Sequence, residues 1–359
     1  MVTGRELLWD LFRLVMTVLI WAGGLPVALL TLLRFVAEDR LWPVGMWVNF
    51  APYCYALVIP LLVLGIISRL WKSTLFLVVL LVIGGLWFGP MVFNSPQVAP
   101  AGEGITPVRV ITYTPDRALA VYEDFRRWAT DSQADIIAIQ DFRLMNGRGL
   151  VDRAAADYPY TSWVMPGWQP TSGNLVLSRY PILEQSAVVE GDFVLRNFVT
   201  RLVLEINGEP IALYNVDMAR SYNRDNPRFR LPPLDPLINR FITGYDAAAR
   251  NNGVDRLREV LTAETLPYIV VGNFGFTPMH RAYERLAALM ADSHRDAGRG
   301  MANTWPVGLG ARIPTLVQFD YIWHSIGRFQ AASSSLGQQL DSRRLPLITD
   351  LRLLPAAPQ

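Results

Sequence analysis

Three uncharged apolar runs in the first 94 residues constrain this chain more than any other feature of it. LVMTVLIWAGGLPVALLTLL lies between Arg13 and Arg34, Leu41 to Ser68 is again without charge, and so is Ser73 to Gly102. A hydrocarbon core of roughly 30 Å takes about 20 apolar residues as helix. The runs therefore predict three transmembrane helices, near residues 14–33, 46–68 and 74–94. Pro26 and Pro60 are tolerable in such helices because neighbouring segments can satisfy the freed backbone groups. A cleaved signal peptide is the poorer reading of the first run. Its apolar stretch is too long, no small-residue cleavage pattern follows, and two more runs come directly after. Trp9, Trp42, Trp47, Trp71 and Trp87 lie near the run ends, as an interfacial aromatic belt would.

The short flanks set the expected orientation. Arg5 and Arg13 precede the first run, and Arg69 and Lys72 separate the second from the third. Arg34 and Arg40 lie between the first two. By the positive-inside rule the amino terminus and the second connection are cytoplasmic, and everything after residue 95 is extracytoplasmic. A multi-pass protein of a bacterial cell (inner) membrane is the expectation. Cys54, inside the second run, is the single cysteine, so neither a disulfide framework nor a thiolate metal cluster can form within one chain.

Six of the 33 basic and four of the 31 acidic residues precede position 95, which leaves 27 of each beyond it. A neutral domain lacks the basic footprint that nucleic-acid enzymes use to neutralise phosphates, so no nucleic acid is expected as partner. Lys72 is the only lysine. An arginine here is accordingly weaker evidence for phosphate binding than it would be elsewhere.

Residues 95–107, SPQVAPAGEGITP, read as a Pro/Gly-rich linker, and 108–359 as one folded domain. VRVITYT and IIAIQD read as strands, with a helix between them at apolar positions Leu119, Tyr122, Phe125 and Ala129. A short helix through VDRAAADYPY leads to TSWVMP and then to SGNLVLSRYPI, which reads as strand and turn. VTRLVLEINGEPIALYNVDM is a hairpin with Asn207-Gly208 at its tip. A long loop leads to a helix over 246–264, the strand IVV, a second helix over 278–291, and the strands QFDYIWH and TDLRLL. Strands outnumber helices, and two packed sheets flanked by helices is the natural architecture.

In this order the pieces resemble the endonuclease/exonuclease/phosphatase superfamily. The resemblance rests on VRVITYT, ADIIAIQD, YPY, GNLVLSRYPI, ALYNVDM, IVVGNFGFTPMHRAYERL, NTWP, FDYIW and SRRLPLITDLRL, spread over about 108–354. It implies an α+β fold, a four-layer αββα sandwich with the site at one end of the two sheets, behind an N-terminal three-helix transmembrane region. Three spans ahead of such a domain resemble membrane-anchored bacterial relatives, some of which act on lipid-linked pyrophosphates.

The resemblance also marks positions where chemistry should sit, and most are altered. Where the family's first strand ends in Tyr-Asn, this chain has Tyr113-Thr114; where its second ends in Gln-Glu, with a Mg²⁺-ligating glutamate, it has Gln140-Asp141. The Asn-x-His position is Asn215-Val216-Asp217, and the Gly-Asp-Phe-Asn turn is Gly272-Asn273-Phe274-Gly275. Asp320-Tyr321-Ile322 is retained, but the closing Ser-Asp-His aligns with Ser342-Arg343-Arg344. Asn273 cannot accept a proton at neutral pH, and acid–base groups of this kind contribute about 10²–10⁴-fold each. The expectation is a binding or scaffolding module without hydrolytic activity, acting as a subunit of a membrane complex. The alternative is a divergent metal-dependent phosphodiesterase or lipid (pyro)phosphate hydrolase.

No cofactor is expected under the first reading; Mg²⁺ or Mn²⁺ enters only under the second, held by Asp141 and Asp217. The bland alternative for those residues is that Asp141 caps a strand end and Asp217 pairs with a nearby arginine. An arginine at 343 or 344 can also fill the place of a cation, tied to Asp141, Asp217 or Asp320. Arg220, Arg224, Arg228 and Arg230 in the long loop are candidates for gripping an acidic lipid or a protein partner, or are simply solvated. His324, four residues after Asp320 and on the same strand face, is expected at an exposed strand end rather than in catalysis.

Overall fold

The computed structural model describes residues 4–37, 41–96, 98, 104–115, 122–143, 149, 151–152, 154–167, 171–190, 197–221, 239, 242–306, 315–340 and 342–355. By contacts the chain divides into one unit of Met1–Phe93 with Met279–Arg281 and a second of Asn94–Pro278 with Ala282–Gln359.

In the first unit, α1 (Gly4–Ala37) and α5 (Trp71–Val92) are each long and apolar enough to cross a membrane. Pro26 and Pro90 lie inside these helices without ending them. The second run departs from a single helix. It forms α2 (Trp42–Val48), α3 (Ala51–Ala56) and α4 (Val58–Ile67), with a 76° bend between α2 and the segment Ala51–Ile67. Among the described residues there are thus two candidate spans, or three if the bent pair counts as one. The break has a local cause. Phe50 leaves helical geometry at φ −111°, ψ 7°, and the Asn49 side-chain amide donates to Gly45 O (2.9 Å) and Met46 O (3.2 Å), capping the turn it closes. Pro52 starts the next helix where its missing N–H costs nothing, and Pro60 cannot bond back to Ala56, where α3 stops.

The second unit is built on two six-stranded sheets. The first runs β11 (Phe329–Leu336), β12 (Leu347–Leu353), β1 (Thr106–Tyr113), β2 (Ile136–Arg143), β4 (Ser172–Ser178), β3 (Tyr160–Val164). The second runs β5 (Ile182–Glu190), β6 (Phe198–Ile206), β7 (Glu209–Asp217), β8 (Tyr268–Asn273), β10 (Asp320–Ser325), β9 (Met290–Asp292). Among the described residues, only β1–β2 and β7–β8 pair in parallel, each through a crossover of the kind parallel strands need. Helix α6 (Tyr122–Asp131) covers the first sheet, where Phe125, Trp128 and Ala129 pack on Ile111, Tyr113 and Ile139. Three further helices follow: α7 (Ala248–Ala263), α8 (Arg281–Ala287) and α9 (Ser293–Ala297).

The period of two along each strand splits the rows cleanly. Val108 and Val110, Ile136 and Ala138, Ile211 and Leu213, and Ile269 and Val271 belong to the core between the sheets. Ile111 and Tyr113, and Ile137 and Ile139, face the other way, into the cluster with α6. The strands β5, β9 and β11 are additions to the sequence expectation, and the helix expected over 278–291 ends at Ala287, after which the chain turns into β9.

Candidate functional site

Each site residue is the next member of an inward row, where the apolar core gives way to polar side chains at one end. Val108, Val110 and Thr112 lead to Thr114; Ile136 and Ala138 lead to Gln140. Ile211 and Leu213 lead to Asn215 and Asp217, Ile269 and Val271 lead to Asn273, and Ile322 is preceded by Asp320. The sheets thus bring Thr114, Asp217, Asn273 and Asp320 to one end of the sandwich from distant points in the chain.

Deepest lies a network of amides. Gln140 Nε2 donates to Asn215 Oδ1 (2.7 Å) and Thr112 Oγ1 (3.0 Å), and Asn215 Nδ2 donates to Ile139 O and Leu175 O (3.2 Å each). Asn174 Nδ2 reaches Asn215 O at 2.7 Å. One side chain on each sheet therefore bridges to the other, and every bond is shielded from water, which makes the network costly to leave half-made.

The next shell is ionic. Arg344 Nη1 donates to Asp320 Oδ2 at 3.0 Å and to Asn273 Oδ1 at 3.4 Å, with Asp320 only 1% exposed. Asp320 Oδ2 also accepts from Thr304 Oγ1 at 2.6 Å, and Oδ1 lies 3.0 Å from Thr114 Oγ1. Asp320 is thus held by the Arg344 guanidinium and the Thr304 hydroxyl, while the one Thr114 hydroxyl proton is shared between Asp320 and Gln140 Oε1, the latter at 2.8 Å. Arg343 is half-buried beside Arg344 in the chain.

Asp141 occupies a β-bulge. The pairing of β2 with β4 slips between Ile139 and Phe142, and Asp141 takes φ +50°, a left-handed conformation unusual for a non-glycine residue. Its Oδ2 pairs with Arg220 Nη2 at 3.2 Å. The sequence expectation of Asp141 as a strand-end cap is corrected: the bulge turns Asp141 toward Arg220, and Asp217 too lies within electrostatic reach of Arg220 and of Arg344. Asp217 Oδ1 accepts from Asn273 Nδ2 at 3.3 Å. Burial, and then the nearby Asp141 charge, raise the Asp217 carboxyl from its ordinary range to about 7, against the pull of Arg220 and Arg344. Arg224, Arg228 and Arg230 lie outside the described residues.

The turn after β8 supplies backbone only. Gly272 has φ +134° and Gly275 φ +65°, and a Cβ on Gly272 would stand 2.0 Å from Val216 O. Gly275 O accepts from Ser221 Oγ and from Arg250 Nη1, each at 3.0 Å. Arg250, fully buried, holds this turn in place and was not signalled by any motif. Thr304 was readable only as part of NTWP.

The histidines stand apart from this shell. His324 is 3% exposed, not at an exposed end, because α9 packs against β10, and its Nε2 lies 3.5 Å from Asp296 rather than near Asp320. His294 Nδ1 contacts Ser334 Oγ at 3.1 Å, and burial lowers its pKa. His280 is fully buried just ahead of α8.

The fit to a hard divalent cation is poor. Asp141 is engaged by Arg220, Asp217 receives an amide N–H, and Arg344 puts a fixed positive charge among the carboxylates. Among the described residues, no three His, Cys, Asp or Glu side chains gather to hold a metal ion.

Residues 104–342 match the model of the Endonuclease/Exonuclease/phosphatase family. Among solved structures, an endonuclease/exonuclease/phosphatase from Bacteroides vulgatus superposes with TM-score 0.51 at 16% identity, covering 69% of this chain and 100% of its own. A family protein from Bacteroides thetaiotaomicron gives 0.52 at 14%, covering 70% and 99%. Humanized D. rerio TDP2 gives 0.52 at 12%, covering 68% and 98%. At these identities the likeness establishes the fold. No curated protein matches the sequence.

Proposed function

The chain belongs to the endonuclease/exonuclease/phosphatase family, and we propose that it is a membrane-anchored member that has given up hydrolysis and serves as a binding or scaffolding module. The observation that carries this reading is the Arg344 guanidinium, buried between Asp320 and Asn273. A tethered cation stands among the carboxylates, and Asn273 offers no proton acceptor where a water would need one. Asp320, the one retained acid, is spent on Arg344, Thr304 and Thr114. The apolar helices at the N-terminus anchor the domain in a cell membrane, with the amino terminus cytoplasmic and the domain outside. Its partners are other membrane-protein subunits, or acidic lipids met by the arginines of the 220–230 loop.

A divergent metal-dependent phosphodiesterase is the second reading, favoured by the adjacency of Asp141 and Asp217. Calorimetric titration of the full-length protein in detergent with Mg²⁺ and Mn²⁺, beside Asp141→Ala, separates the two. A flat titration, with no turnover of phosphodiesters or lipid pyrophosphates, is expected. Saturable binding that disappears in Asp141→Ala overturns the proposal.

A further inference from the structure

The unit that holds the apolar helices also takes three residues from far along the chain, Met279–Arg281. They close the connection that leaves β8 and open α8, and Met279 comes only six positions after Asn273 of the site. The residue that receives them is Arg34, in the last turn of α1. Its Nη2 donates to Met279 O at 3.0 Å, and its Nε donates to the same oxygen at 3.3 Å. The guanidinium carbon stands 4.9 Å from the centroid of the Trp87 ring and 5.0 Å from that of Phe35. The Arg281 guanidinium covers Phe35 too, at 5.8 Å.

An arginine at the end of an apolar helix ordinarily extends its guanidinium into water or among headgroups, with its methylenes along the apolar surface. Arg34 does the opposite: it is 1% exposed, and Met279 and His280 are no more exposed than that. Taking a guanidinium out of water is costly unless hydrogen bonds and aromatic faces replace the water. Lys72 being the only lysine, the choice of arginine says little; the burial and the acceptor say more.

The acceptor is main chain, so the bond fixes where the 279–281 segment lies rather than where a side chain points. Upstream, Phe274 and Phe276 are fully buried, Phe274 N donates to Phe319 O at 2.8 Å, and Tyr321 Oη donates to Phe276 O at 3.0 Å. The stretch from Asn273 to Met279 is thus held at both ends. So short a stretch has few ways to rearrange without moving Asn273, whose amide donates to Asp217. We propose that Arg34 is a positioning residue for the site: by pinning Met279 O it sets the β8 turn, and Asn273 with it. The inference rests on the reading of that site as a binding module, and it makes the geometry of the site answer to α1.

The test is hydrogen exchange by mass spectrometry on the full-length protein in nanodiscs, which reads local opening. Arg34→Leu removes the donors and leaves the helix apolar, so insertion persists. Amides of residues 274–283 should then exchange about tenfold faster, the loss of a hydrogen bond from a charged donor, while β6 and β7 keep their wild-type rates. Arg34→Lys keeps a donor and the charge and should lie between the two. Phe35→Leu keeps the arginine but takes away the ring it shares with Arg281, and should loosen the same residues less. Unchanged exchange over 274–283 in these variants overturns the proposal. A rise of equal size in β6 and β7 overturns it as well, since the whole fold would then be weaker. So does Arg34→Lys exchanging as fast as Arg34→Leu, because neither donor nor charge would then matter. None of these readouts depends on metal or turnover, so this inference and the reading of the site fail separately.

Discussion

Asp217 is the residue at which the structure adds most to the sequence reading. Alignment with the family marked it as a degenerate histidine position, and charge alone suggested an arginine partner. Its actual neighbours are Asp141, Asn273, Arg220 and Arg344. With a carboxyl raised from 3.8 to about 7, the folded protein binds a proton that the unfolded chain releases near pH 4. Stability should therefore fall as pH rises from about 4 toward 7 and level off above that. Asp217→Asn removes this contribution, so its melting temperature should vary less between pH 5 and 8 than the wild type's. Equal slopes in thermal unfolding would refute the assignment. The left-handed Asp141 had no sequence signal, because a bulge arises from the pairing of two strands and not from the residue inside it. The Asp320–Arg344 pair was readable, since the aligned motif put both at one sheet end.

At the level of the element, the β8 turn depends on backbone geometry more than on side chains. Gly272 and Gly275 are both left-handed, but their surroundings differ. Gly272→Ala drives a Cβ into Val216 O across the β7–β8 pairing and should destabilise by roughly 3 kcal/mol or more. Gly275→Ala meets Ala219 O only at 3.4 Å and should cost about 1 kcal/mol, the conformational term alone. Chemical denaturation of the two variants measures the difference. Elements rich in β-branched residues were legible from the sequence, β1, β2, β7 and β8 among them. The strand β11 was not, since QAASSSL lacks the branched side chains that mark a strand and is held in place by its pairing with β12. The break at Asn49 was hidden for the converse reason: the run is uniformly apolar, and hydropathy does not register a side-chain cap.

At the level of the whole molecule, the even balance of charge beyond residue 95 argues about partners. Under the proposed reading, 27 basic and 27 acidic side chains leave no net excess of positive charge for the counterion release that duplex DNA binding draws on. Mobility-shift assays at about 0.15 M salt should give no retardation of single- or double-stranded DNA, and retention of either would contradict this. The fold class was legible because nine short motifs recur in order.

A consequence attaches to Arg344. The positive charge beside Asp320 is written into the polypeptide, so it can be neither chelated, washed out, nor exchanged for another ion. Its presence does not vary with the metal content of the compartment, and whatever meets this end of the sandwich meets the same potential there from the moment the chain has folded.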